Sequence, residues 1–410
     1  MIKVEKFIPG GQSLGTMEDG KKIFFWNALP GEEVVSFETT KTKSHFVEAI
    51  ATNINNRSSC RATPKDDCFL STSPWQILNY DYELLQKQNL VQEIFREHSI
   101  NINLPEIITD NRDYYYRNKM EYALYWDKES SKIKLAFHTR GSHQKIPILS
   151  SSIERSELFL HAKEIIDELN EKHEEARKYQ SMLLRCNQEG KVSGGLFENG
   201  HPHPEFNSLS DVILGYKYTY SPNGFFQINL PVYELTLKEI KKHISTDNVL
   251  DLYAGVGTIG LSVARDHNLT LVECDKNAYK ELVKNCEKGV FEGIRSYDES
   301  KRADPVTTGV GDAPRKTHPF AILSKSEEAL SYITSDQTVI VDPPRAGCNS
   351  KLVNRLLEIT PPIIIYLSCN PATQARDVKA LLLKYHIKDI KTFNFFPHTP
   401  HIENLIVLSL

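Results

Sequence analysis

Cys369 stands between an apolar run, Ile363-Ile364-Ile365-Tyr366-Leu367, and an Asn-Pro that opens a helical pattern. A thiol at the carboxyl end of a strand, just ahead of a helix, faces free backbone N–H groups and the positive end of the helix dipole. Both favour the thiolate, lower its pKa and make it a nucleophile. The alternative is a buried structural thiol, since free cysteine is among the most buried residue types. Other candidates occupy similar places. Asp251-Leu252-Tyr253-Ala254-Gly255-Val256-Gly257-Thr258-Ile259-Gly260 carries glycines that permit a tight strand-to-helix turn and close approach of a ligand to the backbone. Alone, that spacing also suits a dinucleotide. Glu273 ends the next apolar run, where a carboxylate can accept hydrogen bonds from ribose hydroxyls. Asp342 emerges ahead of Pro343-Pro344, which cannot donate to a sheet and so stop the strand. Glu403 opens a last strand-like run, with His398 and His401 nearby; it reads either as a general base or as a solvated strand start.

Such groups need a scaffold that presents strand ends along one edge. NVLDLYAG, LTLVECD, TVIVDPP and IIIYLSC each read as a buried parallel strand, with helical stretches between them. In an open parallel sheet the ligand crevice lies outside the carboxyl ends of the strands. Asp251, Glu273, Asp342 and Cys369 all fall at such ends, and their convergence assigns them to chemistry rather than packing. The polar, Pro- and Gly-rich stretch before Phe320 reads as a long loop.

At 410 residues the chain suggests two or three domains. Hydrophobic content of 40% and charged content of 25% are those of a soluble globular protein, and no apolar stretch is long enough to span a bilayer. The start lacks the apolar core of a secretory signal, and seven cysteines without dense spacing argue for a reducing compartment, so the cytoplasm is expected. A net charge of −4 neither shows nor excludes a nucleic-acid partner. Residues 1–55 read as short strands broken by Pro9-Gly10-Gly11, Asp19-Gly20 and Leu29-Pro30-Gly31, which implies a small barrel. With Lys41, Lys43 and His45 it is either an RNA platform or a plain structural module. Trp75 to Arg96 reads as helix. The stretch YYYRNKMEYALYW alternates aromatic with polar residues; near Arg112, Arg117 and Lys119 it is either a base-stacking surface or a half-buried strand.

NGFFQIN (223–229), DLYAGVGTIGL, DPPRAG, LSCNP and HTPHIEN together resemble the motifs of the S-adenosylmethionine-dependent RNA uracil-C5 methyltransferases, in that family's order. Those enzymes form 5-methyluridine in transfer and ribosomal RNA. GGQSLG, DGKKIFF and ALPGE are similar to the small TRAM barrel of many members. The resemblance implies an α/β fold: a Rossmann-like class I methyltransferase domain at 216–410, an N-terminal TRAM-like β-barrel at 1–55 and a mixed α+β RNA-recognition region at 56–215. It implies that Cys369 is the nucleophile adding to C6 of uracil and Glu403 the base removing the C5 proton. Gln227, Tyr253, Gly255, Thr258, Glu273 and Asp342 then occupy positions for S-adenosylmethionine, although asparagine is common where Thr258 stands. Phe225 and Phe226 are candidates to hold the base once it has left its stack.

The main departure concerns iron and sulfur. Many members hold a [4Fe–4S] cluster on four cysteines, whereas Cys60, Cys68 and Cys186 are those left ahead of the C-terminal half. Cluster chemistry wants four thiolates, so neither an intact cluster nor another metal is expected. The implied partner is RNA, ribosomal RNA favoured by the barrel and transfer RNA open, with no membrane partner and a monomer as the default. Two competing readings remain. A methyltransferase acting on another base would not need the Cys369 and Glu403 pair, or, for cytosine C5, would usually show a Pro-Cys dipeptide, which is absent here. A non-catalytic RNA-binding or chaperone module would tolerate loss of Cys369.

Overall fold

The computed structural model describes residues 1–203, 206–287 and 319–410. They form two compact units: Met1–Glu97 with Asn101–Asn207 and Asn394–Ile402, and His98–Ile100 with Ser208–Phe393 and Glu403–Leu410. The stretch read as a long loop before Phe320 falls on 288–318, outside the described residues.

In the first unit, β1 (Ile2–Phe7), β2 (Ser13–Thr16), β3 (Lys22–Trp26), β4 (Glu33–Thr42) and β5 (Phe46–Asn55) close into the expected barrel. Period-two alternation points Ile23 and Phe25, and Val47, Ala49 and Ala51, into its core. Glu32, fully buried, accepts Arg61 Nη2 at 2.7 Å and Arg61 Nε at 2.8 Å, as well as the Leu29 and Ser58 N–H groups. Burial pushes its pKa up, but these donors outweigh that and hold the carboxyl below its usual range.

The helix expected from Trp75 begins later. Pro74–Ile77 form one 3₁₀ turn, Leu78 is extended, and the α-helix runs Tyr80–Glu97 because Asn79 Oδ1 takes the Tyr82 N–H at 2.9 Å. Beyond it, β6 (Lys119–Asp127), β7 (Lys132–His138), β8 (Lys145–Pro147), β9 (Ser181–Cys186), β10 (Val192–Glu198) and β11 (His201–His203) build a sheet ordered β11-β10-β9-β6-β7-β8. Helix Ser156–Glu171 packs on it through Leu158, Ala162, Ile166 and Leu169, a stripe at helical spacing. The aromatic stretch is largely a half-buried strand: Met120, Tyr122 and Leu124 enter this core, and so do Cys68 and Cys186. Tyr115 is exposed.

The second unit opens with the hairpin β12 (Leu209–Ile213) and β13 (Tyr216–Tyr220). Its main sheet holds β14 (Asn248–Leu252), β15 (Asn268–Glu273), β16 (Phe320–Leu323), β17 (Gln337–Val341), β18 (Ile363–Ser368), β19 (His386–Phe393) and β20 (Glu403–Ser409), in the order β16-β15-β14-β17-β18-β20-β19. Strands β14 to β18 are parallel, and β20 inserts antiparallel between β18 and β19. Every residue of β17 and β18 is buried, as continuous apolar runs require in a sheet covered on both faces. This is the expected Rossmann-like α/β arrangement. The strand order reverses between β14 and β17, the switch point at which such sheets open a crevice.

Candidate active site

The turn after β17 and the helix after β18 are built as one piece. Asn370 caps helix Pro371–Leu381, its Oδ1 accepting the Ala372 N–H at 3.2 Å while its Nδ2 donates to Arg345 O at 2.8 Å. Thr373 Oγ1 donates to the same carbonyl at 3.2 Å. One turn on, Asp377 Oδ2 accepts the Cys348 N–H and the Tyr366 hydroxyl, both at 2.8 Å. Gly347 lies against this network with φ of 78°, where a Cβ would come within 2.7 Å of Arg376 Nη2 and Asp377 Oδ2. Only glycine fits there. Asp342 and Cys369, at the ends of β17 and β18, are thereby held on one rigid edge.

Glu403 reaches the same edge because β20 runs antiparallel. Ser368 pairs with Asn404, and Phe393 with Glu403, so Cys369 and Glu403 stand at neighbouring strand ends. Glu403 is 5% exposed and Cys369 is half-buried. Burial raises the Cys369 pKa to about 11, the Glu403 and Asp342 carboxylates adding to the rise and Arg345 opposing it. The lowered pKa expected from the helix dipole is therefore overturned: desolvation and two carboxylates outweigh a helix end. Glu403 is itself pushed well above the usual carboxyl range, by burial and then by Asp342, with Arg345 opposing. Burial raises Asp342 to about 7.

Across the switch point, Gly255 donates its N–H to Glu273 Oε2 at 2.7 Å, and Glu273 Oε1 takes the Cys274 and Asp275 N–H groups at 2.7 and 2.6 Å. A Cβ on Gly255 would meet nothing within 4 Å, so the turn faces open space. Asp251 is sealed inside. Its Oδ2 braces the Gly260 N–H at 2.8 Å and its Oδ1 has no partner, so it supports the glycine turn from beneath rather than lining the crevice. Burial raises Asp251 to about 8, aided by Asp342 and Glu273. Tyr253 adopts φ of 64°, a left-handed conformation costly for a bulky residue, and its hydroxyl is bonded to Ser326. Thr258 is buried and bonded to Tyr233; Gln227 is buried ahead of helix Leu230–Lys241.

This donor set fits S-adenosylmethionine. Asp342 raises the pKa of both Asp251 and Glu403, and a cationic sulfonium beside the open glycine turn would favour the ionised form of the Asp342 carboxyl.

Not every sequence candidate joins the site. Phe226 is buried and stacked on Tyr220, ring centres 3.9 Å apart, whereas Phe225 is 74% exposed and free to stack. His398 is used within the first unit: its N–H meets both Glu83 carboxylate oxygens at 3.0 and 2.9 Å and its ring lies 4.2 Å from that of Tyr114. Among the described residues, no group of three or more His, Cys, Asp or Glu side chains is arranged to hold a metal. Sequence reasoning also missed Gln374 and Asn404, both fully buried beside the strand ends. A signal existed for Gln374, a polar residue on the same helical stripe as Val378 and Leu381.

The buried carboxyls make stability depend on pH. The raised pKa of Asp251 means the folded protein holds a proton that the unfolded chain releases above about pH 4. Stability from this group is full below that value and is lost as pH rises to about 8, by up to about 1.4 kcal/mol per pH unit. Asp251→Asn is expected to flatten the stability profile over this window in urea unfolding of the ligand-free protein. Equal slopes in both proteins would contradict the assignment.

Residues 210–410 match the family described as tRNA (uracil-5-)-methyltransferase. The chain is 28% identical to the tRNA (uracil(54)-C(5))-methyltransferase of Pyrococcus abyssi, over 92% of this chain and 93% of that one. It is 25% identical to an uncharacterized RNA methyltransferase of Bacillus anthracis, over 100% and 96% of the two. Its fold matches the crystal structure of the P. abyssi tRNA (uracil-54, C5)-methyltransferase in complex with S-adenosyl-L-homocysteine, with a TM-score of 0.72, 23% identity and coverage of 100% and 99%. Through residues 210–410, the chain resembles the S-adenosylmethionine-dependent RNA (uracil-C5-)-methyltransferases.

Proposed function

We propose that the chain methylates C5 of a uridine in structured RNA through a transient bond between Cys369 and C6, with Glu403 as the base. The observation that carries this reading is the placement of that thiol and that carboxyl at neighbouring strand ends of one sheet edge. C5 of uracil is a poor nucleophile. Addition of the Cys369 sulfur at C6 turns the ring into an enolate with electron density at C5. S-adenosylmethionine supplies the electrophilic methyl group. Gln227, Tyr253, Gly255, Thr258, Glu273 and Asp342 are the residues proposed to hold it, Glu273 at the ribose. Glu403 then takes the C5 proton, so that the sulfur leaves and the aromatic ring is restored. Phe225, exposed beside buried Gln227, is proposed to stack on the target base after it leaves the RNA.

The work divides along the chain: the barrel at 1–55 and the region 56–215 would engage RNA, and 216–410 would carry out the chemistry, as a cytoplasmic monomer. The barrel favours ribosomal RNA as the target, while the P. abyssi relative, named for uracil 54 of transfer RNA, favours transfer RNA. Mass mapping of 5-methyluridine in both RNAs from a strain lacking the gene separates the two arms. Loss of one specific 5-methyluridine is expected, restored by the wild-type gene. Unchanged 5-methyluridine in both RNAs would refute the reading.

A further inference from the structure

The helix that follows Cys369 carries a buried amide where an apolar side chain would serve packing alone. Gln374 shares its stripe with Val378 and Leu381, yet its Nε2 donates to Tyr366 O on β18 at 2.9 Å and to Asn404 O on β20 at 3.0 Å. Its Oε1 accepts Asn404 Nδ2 at 2.7 Å, and Asn404 Oδ1 accepts Thr392 Oγ1 on β19 at 2.9 Å. A buried amide is costly unless its groups are bonded, and here both amides are engaged. The resulting chain of bonds ties one helix to three strands. It crosses the sheet where the ladder between β18 and β20 runs out at Ser368 and Asn404, so that no β18–β20 pair fixes Cys369 against Glu403, which is paired only with Phe393 of β19.

We infer that Gln374 and Asn404 are positioning residues that set the Glu403 carboxyl against the Cys369 sulfur, an inference resting on the roles proposed for those two side chains. Neither amide touches substrate; both act through the strand ends. The two steps of the reaction depend on them unequally. Addition needs the sulfur at C6. Elimination needs the carboxylate at the C5 hydrogen: the proton passes to Glu403, the C–H electron pair re-forms the C5–C6 double bond, and the C6–S bond breaks to leave a thiolate on Cys369. Loosening β20 against β18 therefore slows the second step more than the first, and a displacement of about 1 Å suffices for a loss of about 10²-fold.

The test is single-turnover methylation with labelled cofactor and uridine-containing RNA, following both free methylated RNA and a protein–RNA complex that survives denaturant. Gln374→Met is expected to release methylated RNA about 10²-fold more slowly, to accumulate the denaturant-resistant complex, and to keep KM for cofactor and RNA within about twofold. Thr392→Val, which cuts only the outermost bond, should show the same pattern more weakly, and it decides the matter if Gln374→Met does not fold. Wild-type release from folded variants would overturn the inference, as would equal slowing of both steps without the complex, the signature of a merely weakened core. Cys369→Ala in the same assay distinguishes the levels. If it still methylates, the nucleophile assignment fails; if it is inert while Gln374→Met is unaffected, the positioning inference alone fails.

Discussion

Glu403→Gln protein supplied with S-adenosylmethionine and uridine-containing RNA is expected to stall with RNA covalently attached at Cys369. The amide keeps the volume and the buried position of the carboxyl but cannot take a proton. In the proposed mechanism, addition at C6 and methylation at C5 leave a ring saturated at C5 and C6, whose sulfur departs only after the C5 proton is removed. Loss of a positioned base typically costs 10²–10⁴-fold, and turnover should fall by about that factor. The stalled species appears on a denaturing gel as RNA that migrates with the protein, and mass analysis of its peptides should find the nucleotide on Cys369. Because glutamine keeps the size and buried position of Glu403, cofactor and RNA affinities should change little. Release of methylated RNA at the wild-type rate would remove Glu403 from the reaction.

Cys369→Ala should have the larger effect on rate. Removing a covalent nucleophile costs on the order of 10⁶-fold, so no methylation is expected in any practical assay, while RNA binding is retained. The side chain is half-buried and small, and the substitution leaves the helix cap at Asn370 intact, so unfolding cannot stand in for lost chemistry. The wild-type thiol adds a pH signature. With its pKa pushed up to about 11 by burial and two carboxylates, its thiolate fraction rises with each pH unit through the neutral range. Initial rates of addition should therefore climb from pH 7 to 9. Methylation by the Ala variant would dismiss Cys369 as nucleophile.

Much of the site was legible in the residues alone. Parallel strands buried on both faces announce themselves as unbroken apolar runs, and the Pro-Pro at 343 and 344 and the Asn-Pro at 370 and 371 mark where two of them end. What escaped was what depends on partners remote in sequence. Local pattern identifies the strand after Glu403 but not that it inserts antiparallel beside β18, and this insertion is what brings the carboxyl to the thiol. The thiol pKa was misjudged for the same reason: the helix dipole is a neighbour in sequence, whereas Asp342 and Glu403 become neighbours only through folding. Phe226 resembled its neighbour Phe225 until Tyr220 covered its ring. Gln374 and Asn404 escaped because a buried amide is recognised by its bonds, and those bonds join four separate elements.

The antiparallel insertion of β20 also bears on biosynthesis. While residues 403–409 are still within the ribosome, a nascent chain can pair β14, β15, β17 and β18, but the outer side of β18 is left as a bare edge of unsatisfied backbone groups. Glu403 enters only with the strand that seals this edge, so Cys369 is in place before the carboxyl proposed to act with it.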